Sequence, residues 1–204
     1  MLTVVFDLGD VLVTRTDQVA QVAALTGAPV EHAHYWAPRA AYDAGCSDHE
    51  YWSKVVEVFG SPMSPDLAAA LGRADAGMWA VIRPAARAIL ADLNTAGVSV
   101  HILSNAPASM GPAIDRAPWR ALIGERFISG ELGLVKPHPA IYDHVEAALG
   151  LPPSALAFID DRPDNLEVPA SRGWTTHLWA SDADTRVWLE TLGLLQPRAD
   201  KAQP

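Results

Sequence analysis

Short apolar runs that each end on a polar or acidic loop, separated by stretches of helix-like spacing, constrain the architecture of this chain more than any other feature. Leu2 to Phe6 is apolar and β-branched and stops at Asp7-Leu8-Gly9-Asp10, which reads as a buried strand entering a polar loop. Further strands are expected at Val98 to Leu103, Arg126 to Ile128, Leu156 to Ile159 and Trp174 to Trp179. Helices are expected between them. Pro84 to Ala96 has proline in its first turn and Gly97 as its stop. An irregular helical stretch follows Ser104-Asn105-Ala106-Pro107, and His138 to Leu149 follows a loop at Gly130 to Pro137. Another helix runs from near Pro163 to Gly173, with Pro169 arguing against its continuity, and Asp182 to Leu192 precedes a polar tail expected to fray. Parallel strands need long crossovers, and helices of ten or more residues supply them, so this alternation implies a parallel sheet covered on both faces.

From roughly Thr16 to Trp79 the pattern is helical throughout, broken at Thr26-Gly27-Ala28-Pro29, Ala44-Gly45-Cys46-Ser47 and Gly60-Ser61-Pro62. That predicts four short helices, inserted as an all-helical block between the first strand and Pro84. The expected fold is therefore a three-layer, Rossmann-like α/β core formed by residues 1–13 and 83–204, with a helical insertion at 14–82.

Charge narrows the partners. The formal net charge is -9 and no Lys/Arg run occurs, so the chain lacks the electrostatic footprint of a nucleic-acid binder, and Lys136 stands out as a local positive charge. Half the residues are hydrophobic and 19% are charged, a globular balance rather than a disordered one. Cys46 is the sole cysteine, which excludes an intrachain disulfide. The start of the chain has no signal-peptide pattern, and no apolar stretch of roughly 18 residues could span a bilayer. A cytoplasmic location without membrane partners is expected. Oligomeric state is not encoded in any of these features.

In open parallel sheets ligands bind beyond the carboxyl ends of the strands. Collecting the polar residues there gives Asp7 after the first strand, Ser104 and Asn105 after the second, Lys136 in the loop before a helix, and Asp160 and Asp161 after another strand. Three carboxylates at one buried point repel one another and raise the pKa of at least one. Mg²⁺ resolves that conflict, because it prefers hard oxygen ligands and often takes one or two carboxylates together with waters and a substrate phosphate. Lys136 adds a point charge, Ser104 a hydroxyl donor, and backbone N–H groups near Leu8 and Asn105 complete an anion cradle.

These residues resemble the motifs of the haloacid dehalogenase-like hydrolases. Val4-Val5-Phe6-Asp7-Leu8-Gly9-Asp10-Val11-Leu12 is similar to the first motif and Leu103-Ser104-Asn105 to the second. Val135-Lys136-Pro137 with Ile141-Tyr142 resembles the third, and Phe158-Ile159-Asp160-Asp161 with Asn165 the fourth. Four motifs in order are a specific signal, and the helical block falls where that family places a mobile cap. The resemblance implies a phosphatase in which Asp7 attacks the substrate to form an aspartyl intermediate that water hydrolyses. It further implies that Ser104, Asn105 and Lys136 hold the phosphoryl group, that Lys136 also balances charge in catalysis, and that Asp7, the Gly9 carbonyl, Asp160 and Asp161 bind or orient Mg²⁺.

One position departs from the pattern. Most phosphatases of this superfamily place a general acid–base Asp two residues after the nucleophile, where this chain has Gly9. Such a group typically contributes roughly two to four decades of rate. Asp10 could replace it, the leaving group could depart without protonation, or the chain could have another activity. Members resembling sugar-1-phosphate phosphatases share an Asp-Leu-Gly-x-Val signature, so the glycine is compatible with phosphatase activity. The rivals are a metal-independent haloacid dehalogenase, which the paired Asp160-Asp161 disfavours, and a catalytically silent binding protein of the same fold.

Plainer roles are expected for several other residues. Asp10 is expected to bond loop backbone, and Asp164 and Asn165 to cap or support neighbouring groups. His32, His34 and His49 lack zinc-ligand spacing. Tyr35, Trp36, Tyr42 and Trp52 are expected in a core rather than against substrate, with Arg39 as a candidate anion anchor.

Overall fold

The computed structural model describes residues 2–13, 17–60 and 62–197. Strands β1 (Thr3–Phe6), β2 (Val100–Ser104), β3 (Arg126–Ile128), β4 (Leu156–Asp160) and β5 (Thr175–Leu178) form one parallel sheet in the order β3-β2-β1-β4-β5. The first strand is thus the central one. The chain winds outward from it to β3, then returns to build β4 and β5 on its other side. The strand order reverses between β1 and β4, and a crevice opens beyond their carboxyl ends. Register sets Phe6 beside Ile102 and Ile159, so the residues that follow these three positions emerge at one edge.

Among the described residues the first helices are α1 (Gln18–Thr26), α2 (His32–Trp36), α3 (Arg39–Asp43), α4 (Asp48–Val56) and α5 (Pro65–Trp79). There follow α6 (Pro84–Thr95), α7 (Met110–Asp115), α8 (Ser129–Leu132), α9 (Pro139–Leu149), α10 (Pro163–Arg172) and α11 (Asp182–Thr191). Alternation along the strands sorts them into layers. Val4, Phe6, Ile102 and Ile159 pack with Leu90 and Leu93 of α6 and Leu189 of α11. Val5, Leu103 and Phe158 face the opposite way, against Ile141 and Val145 of α9 and Leu166 of α10. A third cluster of Tyr35, Tyr42, Tyr51, Trp52, Val55 and Leu71 forms a separate core among α1 to α5. The α/β class, the three layers and the helical insertion follow the expectation. No helix among the described residues is long and apolar enough to cross a membrane.

Three details differ from the sequence reading. Among the described residues the insertion holds five α-helices instead of four, because the segment read as one helix between residues 30 and 43 is split at Ala37-Pro38 into α2 and α3. Proline supplies no N–H to continue a helical ladder, and α2 ends there. The loop expected at Gly130 to Pro137 begins inside α8, a single turn stopped at Gly133 in the left-handed conformation. Pro169 does not interrupt α10. The Asn165 carbonyl, four residues before it, loses its helical donor but accepts a hydrogen bond from the buried Tyr142 hydroxyl at 2.7 Å. Tyr142→Phe is therefore expected to leave that carbonyl unsatisfied and cost about 1–3 kcal/mol in urea denaturation, whereas an unchanged midpoint would refute this account of the proline. The expected insertion start at 14–16 and the fraying tail beyond 197 lie outside the described residues.

Candidate active site

Asp7 leaves β1 at the switch point. Its backbone N–H donates to the Ile159 carbonyl at 2.8 Å, so the segment stays tied to β4 as its carboxylate enters the crevice. The following loop turns sharply, with Val11 N–H donating to the Gly9 carbonyl at 2.6 Å and Asp10 at φ 57°. Aspartate is among the few side chains that tolerate this left-handed conformation. Arg83 clamps the loop from below. Its guanidinium donates to the carbonyls of Asp10 and Val13 at 3.2 and 3.1 Å and also to that of Val11. Asp182 and the Trp179 ring hold the guanidinium in turn, at 2.7 Å and 5.0 Å.

The loop after α8 brings in Lys136, which is buried. Its ammonium lies 2.9 Å from Asp7 Oδ1, 2.6 Å from Asp160 Oδ2 and 3.0 Å from the Leu103 carbonyl oxygen. Asn105 fixes the loop. Its side-chain amide donates to the Lys136 carbonyl and accepts from the Lys136 N–H, each at 2.9 Å, pairing as a neighbouring strand would. The Asn105 side chain therefore positions Lys136, while Ser104, at the end of β2, lines the crevice beside Asp7.

Asp160 and Asp161 have separate surroundings. Asp160 is fully buried and accepts from the Arg162 N–H at 2.9 Å, from Lys136, and from Asn165 Nδ2 at 2.9 and 3.1 Å. Asn165 thus holds Asp160 in place. Asp161 is half-buried and lines the crevice. Asp7, Asp160 and Asp161 each offer an oxygen within 4.8 Å of the others, which is the metal-type grouping found among the described residues. His32, His34 and His49 are not part of it.

Electrostatics follow from this crowding. Burial, reinforced by Asp160, raises the Asp7 carboxyl to about 7 despite the lysine beside it. For Lys136, burial alone would lower the pKa, but Asp7 and Asp160 outweigh it and hold the group above the ordinary lysine value. Burial and the neighbouring Asp160 and Asp10 also raise Asp161. One ammonium among three carboxylates leaves negative charge uncompensated. Asp7 Oδ1 is near Lys136 but off the line of a directed hydrogen bond. A hard-oxygen set with a buried, undirected carboxylate oxygen fits Mg²⁺, and Asp7 and Asp161 have the oxygens least committed to protein donors. The Gly9 carbonyl accepts the Val11 N–H, which uses one of its two lone pairs.

The crevice encloses about 400 Å³. Its second wall comes from the inserted helices through Trp36, Arg39, Ala40, Asp43 and Trp79, with Met110 of α7 beside them. Tyr35, Tyr42 and Trp52 are core residues, as expected, whereas Trp36 is half-buried and lines the crevice. Arg39 is buried and committed, with Nε 2.8 Å from Asp43 and Nη1 3.1 Å from Asp75. Burial, opposed by Arg39, raises the Asp43 carboxyl to about 6. Asp10 lines the mouth near Asp161, and Asp164 is exposed in the first turn of α10. Sequence reasoning missed Arg83, Trp79, Asp43 and Met110. Only Trp79 carried a usable signal, an aromatic closing a helix just before the chain returns to the sheet.

A family model described as haloacid dehalogenase-like hydrolase matches residues 1–171. Among solved structures the chain is similar to a HAD family enzyme from Bacteroides thetaiotaomicron in complex with magnesium and inorganic phosphate, at 19% identity and TM-score 0.66, over 87% of this chain and 93% of that one. It is also similar to an L-2-haloacid dehalogenase from Xanthobacter autotrophicus with chloropropionic acid covalently bound, at 18% identity and TM-score 0.66, over 100% and 92%. A predicted phosphoglycolate phosphatase from Haemophilus somnus matches at 17% identity and TM-score 0.56, over 85% and 83%. At these identities the likeness is one of fold.

Proposed function

The chain belongs to the haloacid dehalogenase-like hydrolase family, and from that premise we propose that it is a Mg²⁺-dependent phosphatase acting on a small phosphate monoester through Asp7. In this reading residues 1–13 and 83–204 are the catalytic core and residues 14–82 a cap whose helices select the leaving group. The observation that carries it is the contact of one buried ammonium with both Asp7 and Asp160, with Asp161 beside them at the strand ends. Asp160 would serve a metal-independent attack on carbon equally well by fixing Lys136, so it is Asp161, with no such tie to the ammonium, that favours the metal-dependent reading.

Asp7 attacks phosphorus, the bond to the leaving oxygen breaks, and the phosphoryl group rests on the carboxylate. Water then attacks the same phosphorus, returning free Asp7 and inorganic phosphate. Lys136 opposes the effect of burial on Asp7 and orients its carboxylate, while Ser104 and the N–H groups beside Leu8 and Asn105 hold the phosphoryl oxygens. Asp7, Asp161 and the Gly9 carbonyl would hold Mg²⁺, with Asp160 fixing Lys136 beside them. When bound, the cation neutralises charge on the carboxylates and the phosphoryl oxygens. No carboxyl stands at Gly9 to protonate the leaving oxygen, so weakly basic leaving groups are favoured.

Two parallel assays test this: phosphate release from an aryl phosphate, and halide release from chloropropionate, each with Mg²⁺ and with EDTA. Phosphate release that EDTA lowers by roughly two or more orders of magnitude is expected. Halide release that survives EDTA would overturn the phosphatase reading in favour of a dehalogenase. Inertness towards a broad panel of phosphorylated metabolites would favour a silent binding protein.

A further inference from the structure

The walls of the crevice opposite Asp7 differ sharply in chemistry from its floor. Trp79 reaches over the loop after β1, and its Cζ3 lies 3.9 Å from the point where a Cβ on Gly9 would stand. An indole edge therefore occupies the neighbourhood into which a side chain at position 9 would project. The Trp79 N–H donates to the Tyr35 hydroxyl at 3.2 Å, which turns the polar edge of the ring into the helical core. Trp36 meets Trp79 edge to face, with ring centroids 6.2 Å apart, and Met110 also lines the crevice.

Charge on this wall is already balanced. Arg39 is the wall's cation, and it is paired with Asp43 and Asp75. Among the remaining lining residues Lys136 is held at the nucleophile by Asp7 and Asp160, and Arg162 stands at the rim with its side chain 63% exposed. A leaving group bearing a carboxylate or a second phosphate would meet Asp43 and a neutralised arginine. On this wall a polyol would give up water against two indoles and a thioether, with Asp43 and the already paired Arg39 as its polar partners.

We propose that the crevice selects phosphate monoesters with a flat, uncharged aromatic leaving group, held against Trp36 and Trp79, and rejects anionic or sugar-like ones. This rests on the phosphatase reading for its chemistry but concerns the wall alone. An aryl ring gains stacking and apolar burial there, and an aryl oxide also departs readily where Gly9 offers no acid.

The test separates binding from turnover. Benzylphosphonate and phosphonoacetate carry the same non-hydrolysable head with an aromatic or an anionic tail, and their affinities for the Mg²⁺-loaded protein are measured by calorimetry. Benzylphosphonate is expected to bind at least about tenfold more tightly. Trp36→Ala should narrow that ratio to within about threefold, as should Trp79→Ala where melting shows it folded, while Trp79→Phe should largely preserve it. Equal or tighter binding of phosphonoacetate overturns the proposal, as does a ratio that Trp36→Ala leaves unchanged. Tighter benzylphosphonate binding without turnover of any phosphate monoester would support the aromatic wall and count against the phosphatase reading instead.

Discussion

Asp7→Asn is expected to lower kcat by about four or more orders of magnitude and, at pH 8 without metal, to make the protein more stable than its parent. Both effects have one cause. The site forces a carboxylate into a buried position beside Asp160, and the Asp7 pKa rises from 3.8 to about 7. A raised carboxyl favours the folded state only while it is protonated. That contribution is fully present below pH 3.8, and it is lost as pH rises towards 7 because the unfolded chain ionises more readily. Asparagine keeps the shape and never ionises. In EDTA the two proteins should therefore be alike near pH 4 and differ at pH 8 by a few kcal/mol in favour of the variant, on the order of 1.4 kcal/mol for each tenfold change in proton affinity. Added Mg²⁺ should reverse the order, since it binds the parent better and stabilises it by mass action. A variant less stable than its parent at pH 8 in EDTA would refute this account of the site.

Lys136→Met should also remove activity, by about three orders of magnitude, but with the opposite effect on stability. The ammonium is buried and lies within 3.0 Å of Asp7, Asp160 and the Leu103 carbonyl. Without it two carboxylates share a buried site with no counter-charge, and breaking such a pair on one side typically costs about 3–5 kcal/mol. The loss should be largest at alkaline pH and shrink as the solution is acidified, because protonation of Asp7 relieves the repulsion. Arginine is not expected to rescue either property, since a planar fork cannot replace a compact ammonium held by three oxygens. Chemical denaturation across pH and steady-state kinetics check these outcomes together. A stable, active Lys136→Met protein would show that the ammonium is incidental.

Legibility in the sequence tracked locality. Asp7, Ser104, Asp160 and Asp161 end apolar strands, and Lys136 precedes a helix, so the rule that parallel strands present ligands at their carboxyl ends sufficed to gather them. The paired role of Asn105 was not legible, because it depends on facing the Lys136 peptide across two loops. Pro169 misled for a similar reason. A proline argues against a helix until a hydroxyl from another helix satisfies the carbonyl it frees, and Tyr142 lies 27 positions earlier. Arg83 looked like an ordinary residue before Pro84, yet it fastens three carbonyls of the loop after β1. The helical insertion was the least legible part. Its aromatics share one composition, and only packing divides Tyr35, Tyr42 and Trp52, which build its own core, from Trp36 and Trp79, which pack against the sheet-side core and line the crevice.

The most direct measurement is to acid-quench the Mg²⁺-loaded enzyme during turnover of an aryl phosphate and locate the phosphoryl group by peptide mass spectrometry. A base-labile phosphoryl group is expected on Asp7, formed within one turnover and absent from Asp7→Asn, with solvent oxygen appearing in the released phosphate and not in the Asp7 carboxylate. Full turnover by Asp7→Asn would contradict covalent catalysis at this residue, and solvent oxygen in the Asp7 carboxylate would show that water attacks the carboxyl carbon of the intermediate, contradicting hydrolysis at phosphorus.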